Sequence, residues 1–142
     1  MKRAEIEALI PHRAPMLMVD EVVEIEPGKR AVARKYVRDD EFWCVGHFPG
    51  EPILPGVLMS EALAQTAGIV FASANAERAG GNVYLVGMDK MRFRQMVRPG
   101  DVLELEVEVV EERHRMWTFS GTARVGGKRA ATGTFMATVD RE

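Results

Sequence analysis

The chain has 142 residues, a formal net charge of −2 and a hydrophobic fraction of 46%. That length fits one domain, residues 1–142, whose fold can bury roughly 68–70% of the unfolded surface. The balance offers no basic footprint for nucleic acid, and the single cysteine excludes an internal disulfide and fits a reducing compartment. Met1 to Ile10 carries Glu5 and Glu7 and no long apolar stretch, so no secretory signal is expected there and the cytoplasm is the expected location.

In chain order, Arg3 to Ile10 predicts a short amphipathic helix stopped by Pro11. Leu17 to Ile25 reads as a strand, Pro27-Gly28 as a turn, and Arg30 to Val37 as a second strand. Asp39 to Pro55 is a loop stiffened by Pro49, Pro52 and Pro55, each of which fixes φ and lacks a donor. A long helix is predicted from about Val57 to about Arg78, with Gly80-Gly81 as its stop. Asn82 to Arg94 is strand-like and Pro99-Gly100-Asp101 is a turn. Val102 to Val110 sets Leu103, Leu105, Val107 and Val109 against Glu104, Glu106 and Glu108, the alternation of a half-buried strand. His114, between Arg113 and Arg115, falls in a turn before Met116 to Val125, which puts Trp117, Phe119, Ala123 and Val125 on one face. Gly126-Gly127 signals a tight hairpin into the last strand, Lys128 to Val139.

The long helix is unusual. Between Val57 and Ala76 its only charged residue is Glu61. A helix apolar nearly all round is buried, and Glu61, Gln65, Thr66, Ser73 and Asn75 interrupt any membrane-length apolar run, so no membrane span is expected. The order of short helix, two strands, long helix and four strands predicts an α+β fold, with an antiparallel sheet covering the helix. Exposed sheet edges invite pairing with another chain.

Glu61 is expected to be a buried carboxyl group, and Gln65, one helical turn on, can hydrogen-bond and orient it. His47 lies upstream across the proline-braced loop. A histidine and a buried carboxyl group make a competent general acid/base pair. Cys44 reads as a small buried apolar residue rather than a nucleophile. The three histidines lack ligand spacing, so no metal site is expected. No phosphate-binding glycine loop or dinucleotide fingerprint is present.

The run Gly46-His47-Phe48-Pro49-Gly50-Glu51-Pro52-Ile53-Leu54-Pro55-Gly56-Val57-Leu58-Met59-Ser60-Glu61-Ala62-Leu63-Ala64-Gln65 resembles the signature of the β-hydroxyacyl-acyl carrier protein dehydratases, FabZ type. Leu9 to Arg13 with Met18-Val19-Asp20, Tyr84 to Arg94 and Val97 to Asp101 extend the resemblance over nearly the whole chain. It implies the hot-dog fold, a curved antiparallel sheet of about six strands wrapped around one long central helix. It also implies dehydration of (3R)-3-hydroxyacyl-[acyl carrier protein] to trans-2-enoyl-[acyl carrier protein] in fatty acid biosynthesis.

That reaction needs a base for the C2 proton, an acid for the departing C3 hydroxyl, and donors for the thioester carbonyl. The resemblance assigns His47 as base and Glu61 as acid. Burial would favour the protonated carboxyl that an acid needs, and the helix dipole its anion. The carbonyl is expected to meet the N–H groups of Gly56 and Val57 at the helix N-terminus, with Gly56 permitting close approach of substrate.

The resemblance further implies a homodimer joined sheet to sheet, assembled as a trimer of dimers, with His47 and Glu61 of one site drawn from different subunits. Phe48 and Tyr84 match positions lining or gating the acyl tunnel, the peptide after His47 is a candidate cis bond, and His12 matches the pattern as a structural residue. No cofactor is implied beyond the phosphopantetheine arm of acyl carrier protein, which carries the substrate. Lys90, Arg92 and Arg94, expected on one strand face near Arg98, are either a solvated face or a docking face for the acidic carrier. Three readings stay open beside the dehydratase. One is a dehydratase/isomerase, whose relatives have aspartate in place of Glu61 and cysteine in place of Val57. The others are a hot-dog thioesterase and a non-catalytic acyl-carrier-binding module.

Overall fold

A computed structural model describes residues 1–75, 77, 79–81 and 83–139. The elements are α1 (Arg3–Leu9), β1 (Glu21–Glu26), β2 (Arg30–Tyr36), α2 (Gly56–Ala74), β3 (Val83–Phe93), β4 (Val102–Arg113), β5 (Met116–Val125) and β6 (Lys128–Val139). All strand pairs are antiparallel, in the order β1-β2-β4-β5-β6-β3.

The alternation in β4 and β5 decides which side of the sheet faces in. Leu103, Leu105 and Val107 are fully buried, as are Ala123 on β5 and Ala131 and Phe135 on β6. Glu104 and Glu106 point outward, where Arg30 and Arg124 pair with them. The inner face packs on α2, which contacts β2, β3, β4, β5 and β6 and also α1. This is the hot-dog arrangement that the resemblance implies.

The central helix is buried on most sides, with Met59, Ala62, Leu63, Thr66, Ile69, Val70 and Phe71 all in the core. By length and composition it is apolar enough to cross a membrane, contrary to the expectation that its polar residues rule this out, but 67% of that stretch is buried inside the fold. The sheet therefore supplies the apolar cover that the helix needs. The helix starts at Gly56 and ends at Ala74, where the Asn75 N–H donates to Ala72 O and its Nδ2 donates to Phe71 O at 2.9 Å. The expected helix end at Arg78 and the expected strand start at Asn82 lie outside the described residues.

The strand expected over Leu17 to Ile25 is shorter, because β1 begins only at Glu21. The Met18 N–H donates to Gln65 Oε1 at 2.7 Å, and the Met16 carbonyl accepts from Gln65 Nε2 at 2.9 Å. A side chain of α2 thus takes the backbone groups that a ladder would use. Leu17, Met18 and Val19 are buried all the same. At the other end β4 runs to Arg113, beyond the expected Val110, and turns through His114 at φ 59°. Gly126 and Gly127 have φ of 58° and 80°, the paired positive values of a tight hairpin turn.

The edge strand β3 is irregular. Its pairing with β6 shifts between Leu85 and Gly87 and again between Asp89 and Arg92, with Lys90 at φ 57°. At the second shift Met91 lies over Gly133 of β6, where a Cβ would stand 1.9 Å from the methionine sulfur. The extra residue breaks the period-two spacing on which a shared face for Lys90, Arg92 and Arg94 was expected.

Gly121 faces the core from β5. A Cβ there would lie 3.0 Å from the Phe135 ring and 3.4 Å from both Leu63 methyls. Gly121→Ala is expected to cost about 1–3 kcal/mol through overpacking, read as a lower urea midpoint with an unchanged slope.

Candidate active site

The loop that carries His47 is anchored on a buried charge pair. Lys35 of β2 points inward, and its Nζ lies 2.6 Å from Glu41 Oε1, the two side chains being 4% and 6% exposed. Glu41 also accepts from Trp43 Nε1 at 3.1 Å and from the Arg38 N–H at 2.8 Å. Cys44 is buried and donates to Arg38 O, as fits its reading as a core residue. The Trp43 carbonyl in turn accepts the His47 N–H at 3.0 Å, and His47 O accepts the Ile53 N–H at 2.7 Å.

Those bonds fix the backbone; one more fixes the ring. His47 Nδ1 lies 2.8 Å from the Ile53 carbonyl. A carbonyl only accepts, so in the neutral imidazole the proton sits on Nδ1 and Nε2 keeps a bare lone pair. That is the tautomer of a general base. The His47–Phe48 peptide is cis, and the two rings stack with centroids 4.1 Å apart. His47 lines a cavity with Ile53, Leu54, Gly56, Met59 and Phe93.

Glu61 lies one turn into α2, partly exposed at 27% of its side chain rather than buried as expected. The difference arises because it opens onto a cavity of about 240 Å³ lined by His12, Gln65, Tyr84, Leu85, Phe119 and Phe135, among others. Gln65 Nε2 donates to Glu61 Oε2 at 2.8 Å. The Gln65 oxygen already accepts the Met18 N–H and its nitrogen already donates to Met16 O, so the amide has one permitted orientation. Glu61 Oε2 therefore receives a donor, and a proton on this carboxyl group belongs on Oε1. His12 Nε2 stands 3.8 Å from the same Oε2. The sequence pattern had marked His12 only as structural, and no periodicity links it to Glu61.

The first two N–H groups of α2, from Gly56 and Val57, follow Pro55 and receive no side-chain cap. Val57 is 71% exposed. The space in front of the missing Gly56 Cβ is taken by Phe93, whose ring atoms would lie 3.0–3.2 Å from it. Close approach at Gly56 thus comes from the edge strand of the same chain, where the sequence had suggested substrate.

His47 and Glu61 do not share a cavity. The two cavities have no lining residue in common: Tyr84 borders that of Glu61, and Phe48 stacks on His47 at the other. Arg94 lines the His47 cavity, and Arg98 lies 3.6 Å from Glu51 on the same loop.

A FabA-like domain model matches residues 10–134. The chain belongs to the FabA-like family. Its curated relatives include the 3-hydroxyacyl-[acyl-carrier-protein] dehydratase FabZ of Myxococcus xanthus, 49% identical over 140 residues, 98% of this chain and 92% of that one. The enzyme of the same name from Chloroflexus aggregans is 55% identical over 120 residues, 84% of this chain and 81% of that one. These identities place the chain with the FabZ-type members of the family. Among solved structures, the dehydratase heterocomplex ApeI:P from Xenorhabdus doucetiae aligns with a TM-score of 0.81 at 22% identity, covering 96% of this chain and 91% of that one. At that identity the likeness speaks for the fold alone, and it agrees with the hot-dog arrangement.

In this FabZ-type chain the buried pair beneath the His47 loop makes stability depend on pH. Burial pushes the Glu41 carboxyl up, but the Arg38 N–H, Lys35 and Trp43 together hold it below its ordinary value of 4.5. A lowered carboxyl pKa contributes stability that is present above the unfolded value and lost as pH falls through the folded one. Glu41→Gln leaves Lys35 buried without its counter-charge and is expected to cost on the order of 3 kcal/mol at neutral pH. Thermal melts across the acid range should show the variant and the parent converging below the ordinary carboxylate range.

Proposed function

We propose that this chain removes water from (3R)-3-hydroxyacyl groups carried on acyl carrier protein, forming the trans-2-enoyl thioester in fatty acid biosynthesis. The observation that carries the reading is a pair of complementary half-sites on one chain: His47 with a bare Nε2 and Glu61 with Oε1 left for a proton, in cavities that share no residue. A lyase of this kind needs both at one substrate. The edge strand β3 supports joining them by a second copy, because it is unpaired on its outer side and exposes Tyr84, Val86, Met88 and Phe93. The active unit is a homodimer in which His47 of one subunit meets Glu61 of the other, and three such dimers form the larger assembly. Residues 1–142 act as one catalytic domain in the cytoplasm.

In the reaction, His47 Nε2 takes the C2 proton and becomes imidazolium. The C2–H electron pair forms the C2=C3 double bond, and the C3–O bond breaks as Glu61 Oε1 gives its proton to the departing hydroxyl. Charge building on the thioester oxygen is met by the N–H groups of Gly56 and Val57, at the positive end of the α2 dipole. Phe48 and Tyr84 flank the acyl path. The substrate arrives on the phosphopantetheine arm of the carrier, and proton transfer between side chains and substrate asks for no further cofactor. Glu61 and Val57, in place of aspartate and cysteine, favour simple dehydration over coupled isomerisation. Release of free thiol in place of enoyl product would instead identify a thioesterase, and carrier binding without turnover a binding module.

Mixing inactive variants tests the shared site. His47→Ala and Glu61→Gln, each assayed for loss of water from a 3-hydroxyacyl-carrier by mass, should each fall by about 10²–10⁴-fold. After subunit exchange their mixture should recover about a quarter of parental activity, since a symmetric dimer built from one of each holds one intact site. A mixture as inactive as its components would place both groups in one subunit.

Arg94, exposed at the His47 cavity, and Arg92, exposed on the edge strand β3, fit the acidic carrier, with Lys90 on the adjacent bulge. Reversing Arg92 and Arg94 to glutamate should raise KM for carrier-bound substrate by about tenfold through lost electrostatic attraction and leave a short thioester analogue unaffected. Equal effects on both substrates would assign the arginines to the fold.

A further inference from the structure

Among the described residues, His12 Nδ1 is a buried side-chain nitrogen with no hydrogen-bond partner. The same ring presents Nε2 to Glu61 Oε2 at 3.8 Å, with both side chains partly exposed, at 29% and 27%. The ring does not get there by loose packing. Arg13 clamps the turn beneath it, donating to Ile10 O at 3.0 Å, to His12 O at 2.8 Å and to Glu7 O at 3.0 Å.

An N–H on Nδ1 would have no acceptor among the described residues, a buried donor left unmade. The tautomer that fits these surroundings leaves Nδ1 bare and carries its N–H on Nε2, toward the carboxyl group. The other titratable groups around it are Glu61 and Tyr84 in the cavity, while the Arg13 guanidinium is turned to Glu7. In that tautomer His12 sets an N–H dipole beside the Glu61 carboxyl group. A neutral N–H acts most strongly on the charge that appears as the proton leaves.

We propose that His12 is a positioning residue for Glu61, its Nε2–H closing on Oε2 as the carboxylate forms. The proposal rests on the reading of Glu61 as the acid. In the step concerned, the Glu61 Oε1–H bond breaks, its proton joins the departing hydroxyl to give water, and the bonding pair stays on the carboxylate. Gln65 and His12 then share that charge at Oε2, and Oε1 remains directed at the substrate.

The test uses the assembled enzyme and a 3-hydroxyacyl-carrier substrate. His12→Phe and His12→Met remove the donor and are expected to lower kcat by about tenfold to a hundredfold, with KM within about threefold of the parent. His12→Gln supplies a neutral donor at the same reach and is expected to recover most of that loss. Placed in a Glu61→Gln background, His12→Phe should have no further effect on the residual rate, since its action runs through the carboxyl group. Melting temperature and assembly, measured for each variant, separate these effects from loss of fold. The proposal is overturned if either non-donor variant, folded and assembled, turns over at the parental rate, or if His12→Gln loses as much as they do. Activity retained by Glu61→Gln itself would instead remove the acid assignment on which the proposal stands.

Discussion

The Gln65 amide is the interaction on which the surroundings of Glu61 depend. Buried to 1% exposure, it accepts from the Met18 N–H and donates to Met16 O and to Glu61 Oε2. Turning the amide over would set oxygen against oxygen and N–H against N–H, so each bond enforces the others. The same group ties the segment before β1 to the central helix and keeps Met16 to Met18 out of the sheet. It also decides which carboxyl oxygen of Glu61 can carry a proton. Fold and chemistry are here one constraint.

The His47 loop has a different foundation. Lys35 and Glu41 sit almost wholly out of water beneath the loop. Such a pair repays its desolvation only when the remaining hydrogen-bonding positions are filled, and Trp43 and the Arg38 N–H fill them on the glutamate. The outer face of the sheet uses the same residue types to another end. Arg30 and Arg124 pair with Glu104 and Glu106 in partial contact with solvent, where each pair is worth little on its own. Burial, and not the count of ion pairs, separates a scaffold for His47 from a wetted surface.

Much of this was legible in the residues. The alternation of Leu103, Leu105 and Val107 with glutamates marks the inner face of the sheet. A helix with one charge over so long a stretch announces its own burial, and the glycine pair at 126–127 places a hairpin. What escaped has a common physical cause: it depends on contacts between residues far apart in the chain. Leu17 to Val19 has a strand's composition, but Gln65 takes its backbone groups. Lys90 has a strand's spacing, but a bulge disrupts it. The approach of His12 to Glu61 leaves no mark in local pattern.

Gly133 shows how far such long-range dependence reaches. It lies on β6, one strand in from the edge, and its bare Cα leaves the room that Met91 of β3 occupies. The contour of the outermost strand is therefore set from the strand beside it. Whatever surface reads that edge reads, indirectly, a missing methyl group one strand further in. A lineage could thus reshape that edge without altering any residue exposed along it.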